Sequence, residues 1–431
     1  PLSILSSLSF LYNIYPTSSE QKSTLSNQKS TSSNQKSTSS KQKSTSKQKS
    51  TSSKQKFASS KQKPISSEQK SISSEQKSTL SEKPILSEQK SVSSFISKNF
   101  FRVNSTSVKS RKIFNNYVAF GDSFSDNGNS YKLTNKVWPN DVNYKGHFSN
   151  GKVWTEYLAE LLNIKLTNYA YGGATSNSEF IQGCTGPKAE FHVYGIKQQI
   201  EMFIAANTIS NKSKKAKKKA KKIKDFSRTL FSVWDTGNDY FFSEMSASPL
   251  EVVQSLIDAL HLLVKSFPTI NTILIPNIHD LSRIPAYKTS NIEEKTRISK
   301  LIESHNKYLL EHLVKFNRET GVKIIYLKID KFFKELQTKD GMNCFGITNC
   351  VDAAVNLYNN SDEIVIDLNI DQENKDTFFF WDDYHATTLV HDALANLSFE
   401  ILENLNSPFS IRKRNSFATK TFVLTLGDYM Q

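Results

Sequence analysis

A serine, a histidine and an aspartate stand in this sequence where they could form a nucleophilic catalytic site. Ser123 follows the apolar run 117–120 and Gly121, so we expect it on a sharp turn directly after a buried strand. Serine is a weak nucleophile unless a neighbouring base takes its proton. His385 is the candidate base, and Asp382, three residues earlier, is spaced to accept a hydrogen bond from the imidazole. Together these residues predict attack of an activated serine on a carbonyl carbon.

Such an attack also needs hydrogen-bond donors for the oxyanion that develops. Gly173 follows the strand-like run 164–171 and can offer its backbone N–H, and Asn238 follows the run 229–234 and can offer its side-chain amide. The N–H of Ser123 is a third donor. Loss of one such donor typically raises the reaction barrier by about 3–4 kcal/mol. The sequence therefore predicts Ser123, Gly173 and Asn238 as the oxyanion hole.

Other residues close to these positions have a second interpretation. Asp383 is an alternative to Asp382 as the orienter of His385, although the spacing favours Asp382. Asp122 and Asp239 are expected to join loops by hydrogen bonds rather than to do chemistry. Three histidines are interpreted as structural or as facing the substrate: His147, His279 and His305. Three tryptophans are interpreted as core residues, with lining of the pocket as an alternative for the last of them: Trp154, Trp234 and Trp381.

The elements that must position these residues alternate along the chain. Apolar runs predict strands at 117–120, 164–171, 229–234, 272–276 and 322–327. Between and after them, apolar residues at helical spacing predict helices at 153–162, 194–207, 250–266, 292–317 and 387–405. Strands alternating with helices are typical of an α/β fold in which helices cover both faces of a parallel sheet.

Four short blocks in chain order carry a family resemblance. They are Phe120-Gly121-Asp122-Ser123, Asn168-Tyr169-Ala170-Tyr171-Gly172-Gly173-Ala174-Thr175, Thr236-Gly237-Asn238-Asp239 and Asp382-Asp383-Tyr384-His385. This set resembles the GDSL esterase/lipase family, also called SGNH hydrolases. Two positions depart from the family pattern, because Thr236 stands where a Gly is usual and Ala386 where a Pro is usual. The stretches 146–154 and 172–176 look similar to fungal and plant-type members, including carbohydrate acetylesterase-like ones.

The resemblance implies a fold, a site and a reaction. It implies a three-layer α/β/α sandwich, with Ser123, Asp382 and His385 as catalytic residues and Ser123, Gly173 and Asn238 as the oxyanion hole. It implies no metal and no cofactor, and hydrolysis of carboxylic esters through an acyl-enzyme. Open loops at 126–151 would accept varied esters. Because no apolar lid helix is evident, short acyl or acetyl esters, including acetylated carbohydrate, are favoured over acyl lipids.

Two alternatives to the short-acyl esterase stay open. One is a lipase or phospholipase-type acyl hydrolase, which a maximum of activity at long acyl chains would indicate. The other is a catalytically degenerate domain in a surface or structural protein, which the departures at Thr236 and Ala386 keep in consideration. For a hydrolase of either specificity we expect an ester substrate of small-molecule, polysaccharide or lipid type.

The net charge of +15 is concentrated in two segments. Residues 1–100 contain 16 Lys and 5 Glu, and residues 212–224 contain nine Lys and no acidic residue. The rest of the chain carries 31 basic and 36 acidic residues, a net charge of −5. Nucleic acid is therefore not an expected partner, because the basic excess lies outside the part that looks folded. Polyanion binding by 212–224 is a weaker hypothesis.

The charge pattern agrees with the predicted domain organisation. Residues 19–93 repeat a unit of six or seven residues rich in Ser, Thr, Gln and Lys, which cannot bury enough apolar surface to order itself. We therefore expect 1–100 to be a disordered tail and 114–405 to be the hydrolase domain. The Lys-rich stretch 211–224 is interpreted as a loop insertion in that domain, and 406–431 stays unassigned.

Cysteine usage and targeting signals are sparse. Cys344 and Cys350 flank a short loop and either pair or remain thiols, and neither suggests a metal site. No stretch approaches the roughly 20 apolar residues of a membrane helix, and residues 1–16 make a poor signal peptide. The family is commonly secreted, and four sequons fit that location, at Asn104, Asn211, Asn359 and Asn396. A secreted or cell-surface monomer is therefore the expectation.

Overall fold

A mostly parallel sheet is the middle layer of the part of the chain that the computed structural model describes. The described residues are 113–208, 224–360, 363–368, 377–406 and 423–426. The predicted tail at 1–100 and residues 211–223 of the Lys-rich insertion lie outside them. The domain boundaries therefore stay predictions.

The described strands form one large sheet and three small pairs. In chain order they are β1 (Asn116–Gly121), β2 (Lys165–Asn168), β3 (Cys184–Thr185), β4 (Phe191–His192), β5 (Thr229–Trp234), β6 (Thr272–Pro276), β7 (Lys323–Leu327), β8 (Asn349–Ala353), β9 (Val355–Asn360), β10 (Glu363–Leu368), β11 (Phe378–Phe380) and β12 (Val423–Leu426). The large sheet has the order β12–β7–β6–β5–β1–β2, with β12 antiparallel to β7 and the other pairs parallel. The small pairs are β3–β4, β9–β10 and β8–β11.

Helices follow most strands of the large sheet, as the alternation in the sequence predicts. The described α-helices are α1 (Asn129–Leu133), α2 (Trp154–Leu162), α3 (Ile196–Thr208), α4 (Asn238–Phe242), α5 (Pro249–Ser266), α6 (Ile292–Thr320), α7 (Ile329–Leu336), α8 (Lys339–Phe345) and α9 (Thr388–Asn406). No helix in these described segments combines the length and the apolar character that crossing a membrane requires.

The two faces of the sheet carry separate apolar cores because side chains alternate along each strand. In β1, Tyr117 and Ala119 join the core on one face, whereas Val118 and Phe120 join the core on the other. The first core includes residues of α2 and α9, and the second includes residues of α3 and α5. The fold is therefore the expected three-layer α/β/α sandwich.

Three tryptophans near the strand ends are buried, as expected from the sequence. Trp154 and Trp234 pack edge to face in one core, with ring centroids 5.6 Å apart, and Trp381 is buried beside β8 and β11. Burying apolar side chains of this size is the main favourable term in folding. These residues therefore hold the strand ends that the candidate site needs.

One detail differs from the sequence-based expectation, and two points that the sequence leaves open are now described. The strand predicted at 164–171 ends at Asn168, because the Asn168 side chain accepts the N–H of Ala170 at 2.9 Å and turns the chain out of the strand. The segment left unassigned at 406–431 contains β12, which lines the edge of β7. In the described part of the chain no disulfide joins Cys344 to Cys350.

Candidate active site

Three of the predicted site residues follow three neighbouring strands of the large sheet. Ser123 comes two residues after β1, Gly173 five residues after β2 and Asn238 four residues after β5. Because β5, β1 and β2 are adjacent and parallel, their carboxyl ends meet at one edge of the sheet. This is the edge at which open α/β sheets place their ligand sites. The topology thus brings these three residues together.

The turn that carries Ser123 requires a glycine at its start. A Cβ atom on Gly121 would lie 2.7 Å from the backbone oxygen of Trp234, which is closer than such contacts ever come. The side chain of Gln199 secures the same residue, since it accepts the Gly121 N–H at 2.9 Å and donates to the Gly121 carbonyl at 2.8 Å. Ser123 itself is 6% exposed. Its side chain is therefore held in a nearly buried turn.

Asp122 connects the Ser123 turn to the end of β5. Its carboxylate accepts the N–H of Phe124 at 3.1 Å, the N–H of Thr236 at 2.7 Å and the hydroxyl of Thr236 at 2.6 Å. The hydroxyl bond is available only because Thr236 stands where the family pattern has a glycine. The departure from the pattern therefore adds a bond between two loops of the site. Asp122 has the loop-joining contacts that the sequence predicts.

The Gly172–Gly173 turn is shaped by close approach. Gly173 has a φ of +83°, and a Cβ atom there would lie 1.9 Å from the carbonyl oxygen of Cys184, so only glycine fits. The preceding N–H, of Gly172, donates to the Asp126 carboxylate at 2.9 Å and to the Ser130 hydroxyl at 2.8 Å. These bonds tie the turn to the loop that follows Ser123.

Asn238 begins α4 and faces the same turn. Its side-chain amide donates to the carbonyl of Ala174 at 2.9 Å, one residue beyond Gly173. An amide nitrogen has two hydrogens, so one contact orients the group and leaves the second hydrogen for the chemistry. The next residue, Asp239, accepts the N–H and the hydroxyl of Ser176 at 2.8 and 2.7 Å. The geometry is compatible with the predicted oxyanion hole, whose role stays a prediction.

His385 is oriented by Asp382 and not by Asp383. The Nδ1 atom of His385 lies 2.8 Å from both carboxylate oxygens of Asp382, and the N–H groups of Tyr384 and His385 donate to the same carboxylate at 2.9 and 2.8 Å. Burial alone would raise the pKa of Asp382, but the charge of His385 and these hydrogen bonds hold that pKa below its ordinary value. The carboxyl group of Asp382 is therefore ionised when it accepts the hydrogen bond from Nδ1 of His385.

Contacts of Phe124 place His385 next to the Ser123 turn. The ring of Phe124 lies 6.1 Å from that of His385, and Phe124 directly follows Ser123. The carboxyl of Asp122, which directly precedes Ser123, also senses the charge of His385, which lowers the pKa of Asp122 slightly. Burial outweighs this effect and raises the pKa of Asp122 to about 6. His385, Asp382 and the Ser123 turn therefore belong to one site.

The loop at 143–151 packs against the His385 loop, so part of the region expected to be open is fixed. Phe148 lies 5.1 Å from the His385 ring, measured between ring centroids. Ser149 donates its hydroxyl to the Ala386 carbonyl at 2.9 Å, and the indole N–H of Trp381 donates to the Asn143 amide oxygen at 2.9 Å. The ring of Phe148 also occupies the space beside Gly172. Phe148 therefore contacts both His385 and the predicted oxyanion turn.

Three contributors to this geometry were not identified from the sequence. Asp126 accepts the N–H groups of Gly128, Asn129 and Ser130 as well as that of Gly172. An Asp two residues before a Gly is a signal for such a turn. Gln199 is a polar residue on the buried face of α3, which is a detectable anomaly, whereas Phe148 carried no recognised signal. Thr236 was recognised only as a departure from the family pattern, and its bond to Asp122 was not predicted.

Three buried carboxyl groups lie together beneath the site. Asp122, Asp235 and Asp239 are all nearly fully buried, and one oxygen of Asp235 has no hydrogen-bond partner in the described part of the chain. Burial raises the pKa of Asp122 and of Asp239 to about 6. Burial, with the negative charges of Asp239 and Asp122, raises the pKa of Asp235 well above its ordinary value. Asp235 is therefore the group most strongly driven to its neutral form.

This arrangement predicts that Asp235→Asn stabilises the protein selectively at higher pH. Because the pKa of Asp235 is higher in the folded than in the unfolded state, the folded state binds more protons and loses stability as pH rises from about 4. Asn stays neutral and can donate to the neighbouring carboxylates. We expect the Tm of the variant to exceed that of the wild type at pH 8 by several degrees, and by less at pH 5. About 1 kcal/mol corresponds to roughly 2–4 °C for a domain of this size.

Thermal unfolding at the two pH values measures this difference. Asp141→Asn, at an exposed position, is the control and should shift the Tm equally at both pH values. Parallel pH profiles for the wild type and Asp235→Asn would contradict the assignment.

Comparisons with known proteins place the whole site within one family. A family model described as GDSL-like lipase/acylhydrolase matches residues 117–398. Thermolabile hemolysin of Vibrio parahaemolyticus is 26% identical over 303 residues, covering 68% of this chain and 64% of that protein. Phosphatidylcholine-sterol acyltransferase of Aeromonas hydrophila is 26% identical over 336 residues, covering 68% of this chain and 92% of that protein. Secreted effector protein SseJ of Salmonella typhimurium is 28% identical over 196 residues, covering 44% of this chain and 41% of that protein.

The matches differ in how much of each protein they cover. This chain spans less than two thirds of the length of the hemolysin and of the effector protein. The closeness to fungal and plant-type members stays a prediction. The family model, in contrast, spans well over half of the chain and includes Ser123, Gly173, Asn238 and His385. The chain therefore belongs to the GDSL-like lipase/acylhydrolase family, whose members are hydrolases that act on ester bonds.

Proposed function

We propose that this protein is a carboxylic ester hydrolase that works through an acyl-enzyme on Ser123. One observation carries the proposal: Ser123, Gly173 and Asn238 follow three adjacent strands, and the His385–Asp382 pair lies beside the Ser123 turn. A nucleophile, an oriented base and oxyanion donors are the parts that acyl transfer from an ester requires.

In the proposed mechanism, His385 takes the hydroxyl proton of Ser123 as the oxygen attacks the ester carbonyl. Asp382 accepts the Nδ1 hydrogen, so Nε2 is the basic nitrogen, and it stabilises the imidazolium that forms. The N–H groups of Ser123 and Gly173 and the amide of Asn238 hold the oxyanion. His385 then protonates the leaving alcohol as its bond to carbon breaks. Water repeats the sequence, which releases the acid and restores Ser123.

The resemblance to an acyltransferase supports a second candidate function, transfer of the acyl group to an alcohol. The Aeromonas hydrophila relative that is named as an acyltransferase is matched over 92% of its length. Both reactions proceed through the same acyl-enzyme and differ only in whether water or an alcohol attacks it. The degenerate-domain alternative loses support, because Thr236 strengthens a contact and Ala386 lies buried without displacing His385.

Competition between water and methanol tests the acyl-enzyme. Phenyl butyrate and p-nitrophenyl butyrate differ in the leaving group but form the same butyryl-enzyme. We therefore expect the same ratio of methyl butyrate to butyric acid from both esters at a fixed methanol concentration. The reaction without protein is the control. A product ratio that depends on the leaving group would show that no common intermediate forms and would reject the proposal.

A location outside the cell and a monomeric state remain proposals as well. The relative that is named a secreted effector supports a location outside the cell.

The domain at 114–405, with 211–224 as an insertion, contains every residue the mechanism uses. Assay of a protein lacking residues 1–100 beside the full chain would test whether the tail takes part.

A further inference from the structure

Three aromatic rings from separate segments meet beside the proposed catalytic residues. Phe241 lies in α4, three residues after Asn238, Tyr287 ends the 3₁₀ turn Pro285–Tyr287, and Tyr384 directly precedes His385. The rings of Phe241 and Tyr287 are stacked, with centroids 6.4 Å apart at 11°. The rings of Phe241 and Tyr384 meet edge to face, 5.5 Å apart at 86°. We call Phe241, Tyr287 and Tyr384 the aromatic cluster.

Backbone hydrogen bonds fix the cluster to the catalytic loop. The N–H of Ala286 donates to the carbonyl of Asp383 at 3.1 Å, which ties the Tyr287 turn to the loop that carries His385. The N–H of Tyr384 donates to Asp382, and the ring of Tyr384 lies 6.4 Å from that of His385. The cluster therefore links the helix of the proposed oxyanion donor Asn238 to the loop of the proposed base.

The cluster presents apolar surface beside His385. Tyr384 is 43% exposed, although it is held by ring and backbone contacts, and Tyr287, which stacks on Phe241, is only 5% exposed. Aromatic side chains held in this way offer a large apolar contact area at little cost in conformational freedom. Phe241 comes three residues after the proposed oxyanion donor and Tyr384 directly precedes the proposed base, so we expect a substituent of an ester held by these two groups to reach the rings. A longer chain offers more apolar surface to the rings than an acetyl group does.

We propose that the aromatic cluster binds the apolar chain of the ester and makes the enzyme prefer chains longer than acetyl. This inference rests on the proposed function, because the chain is positioned by the ester that Ser123 attacks. It differs from the preference for short acyl groups drawn from the sequence, which had no signal for the cluster. The chain can belong to the acyl or to the alcohol part of the substrate, since both are attached to the same carbonyl carbon.

Two series of esters distinguish an acyl chain from an alcohol chain as the group that the cluster binds. The first is p-nitrophenyl acetate, butyrate and octanoate, and the second is ethyl, butyl and octyl acetate. We expect kcat/KM to rise roughly tenfold from the four-carbon to the eight-carbon member in one of the series, mainly through KM. A rise in the first series identifies the acyl chain as the ligand, and a rise in the second identifies the alcohol chain.

Variants of the cluster then test whether these rings cause the preference. Tyr384→Ala should remove most of the rise with chain length, whereas Tyr384→Phe keeps the ring and should keep the rise. Leu250→Ala is the matched control, because Leu250 is 44% exposed and lies at the start of α5. Phe241→Ala is a second test if Tyr384→Ala unfolds below the assay temperature.

The possible failures are separable. Two results would overturn the role of the cluster and leave the proposed function standing. One is hydrolysis of the acetates with no rise of kcat/KM along either series. The other is a rise of kcat/KM that persists in both Tyr384→Ala and Phe241→Ala. A folded wild type that hydrolyses none of these esters would overturn the proposed function itself, and the cluster assignment with it.

Discussion

Replacing Ser123 with Ala is expected to lower kcat for ester hydrolysis by about 10⁴- to 10⁶-fold. The loss is this large because without the hydroxyl no acyl-enzyme can form, and His385, held by Asp382, then has no serine proton to accept. The residual rate would come from the oxyanion donors and from substrate binding alone. The measurement is the initial rate of p-nitrophenyl butyrate hydrolysis by purified wild type and variant at matched concentration.

Ser125→Ala is the control for this variant because it removes a second buried hydroxyl from the same turn. Ser125 accepts the indole N–H of Trp154 at 3.1 Å, so its loss should cost about 1–3 kcal/mol of stability. We expect its kcat to stay within about tenfold of the wild type, since the group takes no part in the chemistry. Equal losses in the two variants would contradict a nucleophilic role for Ser123.

Asp382→Asn should lower kcat by about 10⁴-fold, whereas Asp383→Asn should lower it less than about tenfold. An amide at position 382 can no longer accept from Nδ1 with a full negative charge, so His385 loses the tautomer with a basic Nε2. Asp383 contacts the neighbouring turn through its backbone carbonyl, which the substitution retains. Asp383→Asn also removes a half-buried carboxyl whose pKa is raised to about 6 by burial and by Asp382.

The two aspartate variants form a matched pair with adjacent positions and the same chemical change. The kcat values of the two variants at pH 7 and pH 9 decide whether Asp382 or Asp383 orients His385. A larger loss for Asp383→Asn than for Asp382→Asn, or the same loss for both, would reject Asp382 as the orienter.

The sequence predicts the site because its chemistry depends on short local segments. The turn at Ser123, the glycine pair before Ala174 and the three-residue spacing of Asp382 and His385 are each visible in a few consecutive residues. The geometry supports Asp382 over Asp383 as the orienter, since the N–H groups of residues 384 and 385 both donate to Asp382. Spacing alone also favours Asp382 but shows no such contact.

The contacts that hold these segments together could not be read in the same way. Gln199 reaches Gly121 across 78 residues, and Phe241 meets Tyr384 only after the chain has folded. β12 was also missed, because a four-residue edge strand has too few residues for its periodicity to stand out. Such features depend on the order of strands in the sheet, which the pattern of apolar runs does not specify.

The central claim is that Ser123 is the nucleophile, and covalent trapping tests it most directly. The protein would be incubated with diethyl p-nitrophenyl phosphate, which phosphorylates activated serines, and then digested and mapped by mass spectrometry. We predict a single diethylphosphoryl group on the peptide that contains Ser123, loss of esterase activity in proportion to labelling, and no label in Ser123→Ala. A label on a different residue, or an active esterase that takes up no label at Ser123, would contradict that role.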